Sequence, residues 1–358
     1  MYKNTKNVDK YIFGNGSIIQ LNHILKRKRN IKTDHVVFII DHYFQNHALR
    51  EKLPIENNDQ IYFLDTTDEP DTTGVDSLCR KIKESCSNIP VCIIGIGGGS
   101  TLDTAKAVSN LLTNFGKAED YQGWDLVREK GVYKIGIPTL SGTGAESSRT
   151  CVLSNSKRGI KLGMNSDFSV FDQLILDPDL LISVPIDQFF FTGMDTYLHC
   201  MESLNGSYRN AIVDALAEKA LQLCKDVFLS DDMKSEKNRE KMMVASYLGG
   251  CSAGNVGVVH PISAGLSVVL KLHHGIANCH AMTVLDEFYP NEFEEFQQIM
   301  FKHKISLPQS ICKELPDEKL EQLYNSSIIH ANPLKNALGD NFKEILTKEK
   351  VIQIYKRM

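Results

Sequence analysis

Val91-Cys-Ile-Ile-Gly-Ile-Gly-Gly-Gly-Ser100 runs directly into Thr101-Leu-Asp-Thr-Ala-Lys-Ala-Val108. The first part is a short apolar, β-branched run of the kind that forms a strand buried on both faces, and the second has the composition of a helix. Three consecutive glycines separate them. Glycines at such a junction let backbone N–H groups approach a phosphate, and the N-terminus of the following helix adds a dipole that favours negative charge. The spacing is neither G-x-G-x-x-G nor a Walker A loop, so a tight strand-to-helix turn without ligand is the alternative reading.

Working outward, similar apolar runs occur at Val36–Ile40, Ile61–Leu64 and Tyr133–Ile137, and segments long enough for crossover helices lie at Thr73–Ser87 and Asp103–Thr113. That alternation predicts a parallel α/β sheet. From about Pro185 the strand signals fade and helical stretches take over, including Ala211–Phe228 and Arg239–Tyr247. The expected division falls near 183–188, giving an α/β dinucleotide-binding domain over 1–185 and an all-α domain over 186–358.

The chain has 358 residues, 42% of them hydrophobic, enough for about two domains with their own cores. Forty Lys and Arg against 44 Asp and Glu give a formal net charge of −4, so no overall basic field exists to hold nucleic acid or an anionic membrane. The run Lys26-Arg-Lys-Arg29 reads as a helix end or solvated surface rather than a nucleic-acid patch. Nine cysteines, with no CxxC pair, predict reduced thiols. The N-terminus lacks the apolar region of a signal peptide, and no stretch of about 18 apolar residues occurs, which predicts a cytoplasmic protein.

Several residues are candidates for a site. Asp41 ends the first strong strand, where a carboxylate can bond a ribose 2′-hydroxyl and repel a 2′-phosphate, favouring NAD over NADP; a turn or cap residue is the alternative. Pro138-Thr-Leu-Ser-Gly-Thr-Gly-Ala-Glu146 offers hydroxyls and exposed backbone donors after the next strong strand. Asp195 and His199 are four apart in a helical segment and share a face, so they can bind one ion. His260 and His274 lie in apolar, glycine-punctuated stretches, where each alone reads as a core histidine.

Taken together, Gly97-Gly-Gly-Ser100 with Asp103 and Lys106, the 138–146 loop, Asp177-Pro-Asp-Leu180, Asp195-x3-His199, and His260 followed fourteen residues later by His274-Gly275 resemble the iron-containing (group III) alcohol dehydrogenase family. The match runs in order from about residue 10 to the C-terminus. The resemblance implies a dinucleotide-binding α/β domain, a helical domain and a divalent metal in the cleft between them. It implies Asp195, His199, His260 and His274 as metal ligands, and Gly97, Gly98, Gly99 and Ser100 at the pyrophosphate. Asp41 would lie near the adenosine ribose, with Thr139, Ser141 and Thr143 along the cofactor and Lys161 on the nicotinamide side. Asp103, Lys161 and His280 become the catalytic candidates. One carboxylate and three imidazoles suit Fe²⁺ or Zn²⁺ equally.

Two departures from the family pattern stand out. Ala264 occupies the position of a histidine that relays the alcohol proton in many members, which makes His280 a candidate replacement or a structural residue. The loop continues Glu146-Ser-Ser-Arg149, a cationic, hydroxyl-rich stretch expected to bind an anionic, polyhydroxylated substrate through Arg149, unless Arg149 is an ion-pair partner. This wording resembles the branch that oxidises C8 of 3-deoxy-D-manno-octulosonate (Kdo), and so implies a partner PLP aminotransferase that consumes the aldehyde for lipopolysaccharide synthesis; separately, a homodimer is the expected assembly. The alternatives are a polyol or simple alcohol dehydrogenase, a dehydroquinate synthase-like lyase, and an NAD-binding regulator.

Overall fold

The computed structural model describes residues 6–86, 88–252 and 256–358. The chain forms two compact units, one comprising 1–140 and 144–183 and the other 141–143 and 184–358. Residues 1–5 and Ser87, the expected end of one helix, lie outside the described residues.

The first unit is an α/β domain. Its elements are β1 (Lys10–Phe13), α1 (Gln20–Lys26), β2 (Val36–Asp41), β3 (Gln60–Leu64), α2 (Thr72–Ser85), β4 (Cys92–Gly97), α3 (Gly99–Leu111), β5 (Gly123–Trp124), β6 (Lys134–Pro138), β7 (Thr150–Asn155), β8 (Ile160–Asn165) and β9 (Gln173–Leu176). Six strands make a parallel sheet in the order β1-β9-β6-β4-β2-β3. β4 and β6 are buried throughout, as is β2 except at Asp41. Their near-continuous apolar runs follow from that double-sided burial. α2 places Val75, Leu78, Cys79 and Ile82 on one buried stripe, and Asp71 caps it by accepting the Gly74 N–H at 2.5 Å.

The other five strands escape the apolar-run criterion. β1 is largely exposed and β9 is only four residues long. β7 and β8 form an antiparallel hairpin, joined to β5 in a separate three-stranded sheet, and β7 alternates buried and half-buried residues. Of the charge run, Lys26 is exposed and closes α1, as the helix-end reading expects, whereas the Arg29 side chain is largely buried, pairing with Asp59 and, at 2.9 Å, with Glu56.

The second unit is helical: α4 (Ile186–Asn205), α5 (Ala211–Phe228), α6 (Glu236–Ser252), α7 (Val259–Leu270), α8 (His274–Met282), α9 (Pro290–Lys302), α10 (Asp317–Ile328), α11 (Ala331–Leu338), α12 (Phe342–Ile345) and α13 (Lys348–Lys356). α4 is its axis, packing against α5, α6, α7 and α8. Gly275 permits the α8 contact, because a Cβ there would lie 2.5 Å from the Phe191 carbonyl oxygen. No disulfide joins any of the nine cysteines, and burial pushes the Cys79 and Cys151 thiols up to about 12, keeping them protonated. No helix among the described residues is long and apolar enough to cross a membrane.

Candidate active site

In the first unit the parallel register decides what meets. Ile40 pairs with Ile96 and Gly97 with Pro138, so the carboxyl ends of β2, β4 and β6 are level. Asp41, Gly97 and Thr139 therefore stand side by side, and the Thr139 N–H donates to the Gly97 carbonyl at 3.0 Å. The chain runs from β2 outward to β3, then returns to place β4 on the other side of β2. That reversal is a topological switch point, where open parallel sheets bind ligands. α3 begins at Gly99 with no side-chain cap, leaving its first backbone donors available to an anion.

An open groove lies beside this point, lined by Ser100 and Thr104 of α3 and by Asp65, Asp68, Glu69 and Asp71. Asp41 accepts the Thr66 Oγ1–H at 3.0 Å and the Tyr43 N–H at 2.9 Å, so it also serves as the turn cap that the sequence left open. The acidic lining opposes a 2′-phosphate, which is the electrostatic condition for NAD rather than NADP. Lys161 on β8 is 3.1 Å from Glu69.

Asp103 and Lys106 turn inward instead. Lys106 is fully buried, with Nζ donating to the Ser148 and Thr150 carbonyls at 3.0 and 2.7 Å. Asp103 accepts the Val152 N–H at 2.9 Å, and burial, opposed by Lys106, raises its carboxyl to about 6. Together they fasten α3 to the segment entering β7. Arg149 is held by Asp125 at 2.6 Å and Asp167 at 2.9 Å, the ion-pair arrangement that was the alternative to substrate binding. Asp177 accepts the Gly16, Ile18 and Asp179 N–H groups, so the Asp177-Pro-Asp-Leu180 motif ties the end of β9 to the segment after β1.

In the second unit, Ser141 and Thr143 flank Gly142, which donates its N–H to Ser246 Oγ at 2.8 Å and accepts the Thr196 hydroxyl at 2.5 Å. A Cβ on Gly142 would lie 1.6 Å from the Thr192 carbonyl oxygen, so only glycine fits against α4.

The metal candidates converge on α4. Asp195 Oδ1 is 3.2 Å from His260 Nε2 and 3.5 Å from His274 Nε2, and the candidate ligand atoms of these three residues all lie within 4.8 Å of one another. His199, one turn along α4, has Nδ1 4.0 Å from the same oxygen and lies at the edge of the group. Asn278 Nδ2 donates to Asp195 Oδ1 at 2.6 Å. Glu202, also on α4, has Oε2 2.5 Å from His260 Nδ1. Neither Asn278 nor Glu202 stands out in the sequence, although each follows a candidate ligand by a helical interval: Asn278 is four residues after His274, and Glu202 seven after Asp195. His280 is six residues after His274, about 240° round a helix, and its buried imidazole makes no hydrogen bond or ion pair among the described residues. Burial lowers its pKa.

The electrostatics fit a divalent cation. Asp195 is 2% exposed and has no lysine or arginine partner among the described residues. Burial alone would raise its pKa, but His274 and His260 hold it well below the carboxylate range. Burial drops His199 to about 4, keeping the imidazole neutral as a ligand requires. Burial also opposes protonation of His260, yet Glu202 and Asp195 outweigh it and raise that group to about 10. A centre that collects a proton to balance two buried carboxylates is one where a cation can take the proton's place.

Residues 9–178 match the iron-containing alcohol dehydrogenase model, and 189–337 match the C-terminal model of the Fe-containing alcohol dehydrogenase family. The chain belongs to this family. A sulfoacetaldehyde reductase of Bilophila wadsworthia is 40% identical over 190 residues, covering 52% of this chain and 49% of that protein. The matched region thus spans about half of that relative's length. A 1-propanol dehydrogenase of Citrobacter freundii is 33% identical over 283 residues, covering 77% of this chain and 70% of the relative. The crystal structure of a sulfoacetaldehyde reductase from Bifidobacterium kashiwanohense in complex with NAD⁺ shares the fold, with a TM-score of 0.80 at 23% identity over 99% of this chain and 98% of that one. None of these three is named for Kdo.

Proposed function

We propose that this iron-containing alcohol dehydrogenase family member is a metal- and NAD-dependent oxidoreductase that interconverts a small primary alcohol and its aldehyde. The observation that carries this reading is the convergence of His260 and His274 on the buried Asp195 carboxylate, which has no lysine or arginine partner among the described residues. When bound, a divalent Fe²⁺ or Zn²⁺ supplies Lewis acidity that lowers the pKa of the substrate hydroxyl, and NAD accepts the hydride. Asp195, His199, His260 and His274 hold the metal, and the Asn278 amide steadies the Asp195 carboxylate from the side. Gly97, Gly98, Gly99 and Ser100 receive the pyrophosphate, Asp41 the adenosine ribose, and Thr139, Ser141 and Thr143 line the cofactor. Lys161, steadied by Glu69, serves the nicotinamide side, while Asp103 acts by holding the β7 segment in place.

The finer reading, oxidation of Kdo at C8, rests on the Ser147-Ser148-Arg149 stretch, and the ion pairs of Arg149 weigh against it. The partner aminotransferase is proposed only with that reading; a homodimer is proposed with either. The experiment is a turnover assay of metal-reconstituted protein with NAD and a panel of 1-propanol, 1,3-propanediol, 2-hydroxyethanesulfonate and Kdo. NADH formation is expected with one of the three small alcohols and little with Kdo. Turnover confined to Kdo would reverse the order of the two readings. Conversion without net NADH would instead point to lyase chemistry.

A further inference from the structure

Glu202 is not among the metal candidates, yet it is the most completely enclosed carboxylate near them, with its side chain fully buried. Oε1 accepts the Val259 N–H at 2.5 Å and the Tyr289 O–H at 3.3 Å, and Oε2 faces His260 Nδ1 at 2.5 Å. The Tyr289 hydroxyl oxygen in turn accepts the Val258 N–H at 3.0 Å, so carboxylate and phenol together grip the backbone that starts α7. Among the described residues no lysine or arginine forms an ion pair with Glu202; its partner is the His260 imidazole.

We infer that Glu202 is a positioning residue that fixes the tautomer and ring orientation of His260. An ionised carboxylate only accepts hydrogen bonds, so the hydrogen of the neutral imidazole must sit on Nδ1, which leaves the Nε2 lone pair directed at Asp195 and at the cation. The i, i+7 relation on α4 puts Asp195 and Glu202 on one helix face, so a single rigid element presents one carboxylate to each nitrogen of the same ring. Tyr289 supports this by holding Oε1, which leaves Oε2 for the histidine. The inference rests on the metal-binding reading above.

The test substitutes Glu202→Gln. Glutamine keeps the shape and can still accept the Val259 N–H, but then turns its NH₂ toward Nδ1, so the ring hydrogen moves to Nε2 and blocks coordination. Co²⁺ titration of metal-free protein, followed by visible absorption and chelator competition, should show 10- to 100-fold weaker binding and an altered Co²⁺ spectrum in E202Q. Circular dichroism of the metal-free protein reports folding. Tyr289→Phe should weaken binding less than tenfold. E202Q binding Co²⁺ within twofold of wild type with the same spectrum would overturn the inference. If E202Q does not fold, ¹⁵N NMR of Zn²⁺-loaded wild type decides: a ligating histidine with hydrogen on Nδ1 supports the inference, and Nδ1 coordination by His260 overturns it. Wild type that binds no Co²⁺, or Asp195→Ala that binds it as well as wild type, would defeat the metal reading instead.

Discussion

In the first unit the groups proposed to meet a ligand are mostly backbone, Gly97 to Ser100 at the junction of β4 and α3, with Asp41 and the Thr139 side chain beside them at the ends of neighbouring parallel strands. In the second they are side chains, His260 and His274 gathered from α7 and α8 on the buried Asp195 carboxylate of α4, which has no lysine or arginine partner among the described residues. A backbone site tolerates many side chains, provided each is small enough to let the ligand approach. A charged side-chain site tolerates almost none, because removing one member leaves its partners buried and unmatched. The first should therefore respond to substitution by degrees, the second all at once.

The largest expected effect is on the helical unit. Asp195→Ala should lower turnover by roughly a thousandfold or more and abolish stoichiometric metal binding, measured by metal analysis after dialysis. A variant retaining a full metal equivalent would show that the imidazoles suffice and would break the contrast. Next comes Gly142→Ala, where the added carbon meets the Thr192 carbonyl; it should cost about 3 kcal/mol, seen as a lowered thermal midpoint. An unchanged midpoint would mean the 141–143 loop is not clamped to α4.

A smaller effect is expected at Asp103, whose pKa rises from 3.8 to about 6 on folding. Between those values the folded state binds more protons than the unfolded state, so this group's contribution to stability is greatest below pH 4 and is lost as pH rises through 6. Denaturant unfolding at pH 4, 5, 6 and 7 should show the wild-type stability, relative to Asp103→Asn, falling by roughly 2–3 kcal/mol over that range. A constant difference would argue against a buried, raised carboxyl. Mildest should be Asp41→Asn, expected to raise KM for NAD about tenfold, a loss of about 1.4 kcal/mol, and to improve use of NADP. Equal or better discrimination would move specificity from Asp41 to the acidic groove wall.

Legibility in the sequence followed burial. β2, β3, β4 and β6 contain the apolar runs that the sequence shows, and α2, α5 and α6 carry helical signals. β1 and β9 escape because four residues, one set mostly exposed, leave too little pattern to read. The β7–β8 hairpin escapes because the hydroxyls and cation before it look like a ligand-binding loop, whereas Lys106, Asp125 and Asp167 consume them internally. The four metal candidates were legible only as a set, since each histidine alone is an ordinary core residue.

By itself the sequence determined the two-part architecture, the glycine-rich strand-to-helix junction and the identities of the ligand candidates, because periodicity and local spacing depend on neighbours along the chain. Tertiary structure alone decided that Asp41 stands level with Gly97, that Arg149 is committed to two carboxylates, and that Glu202 and Asn278 back the Asp195 centre. Those facts depend on strand register and helix packing, which bring together groups far apart in sequence; the energies that set them are pairwise contacts that no local pattern records.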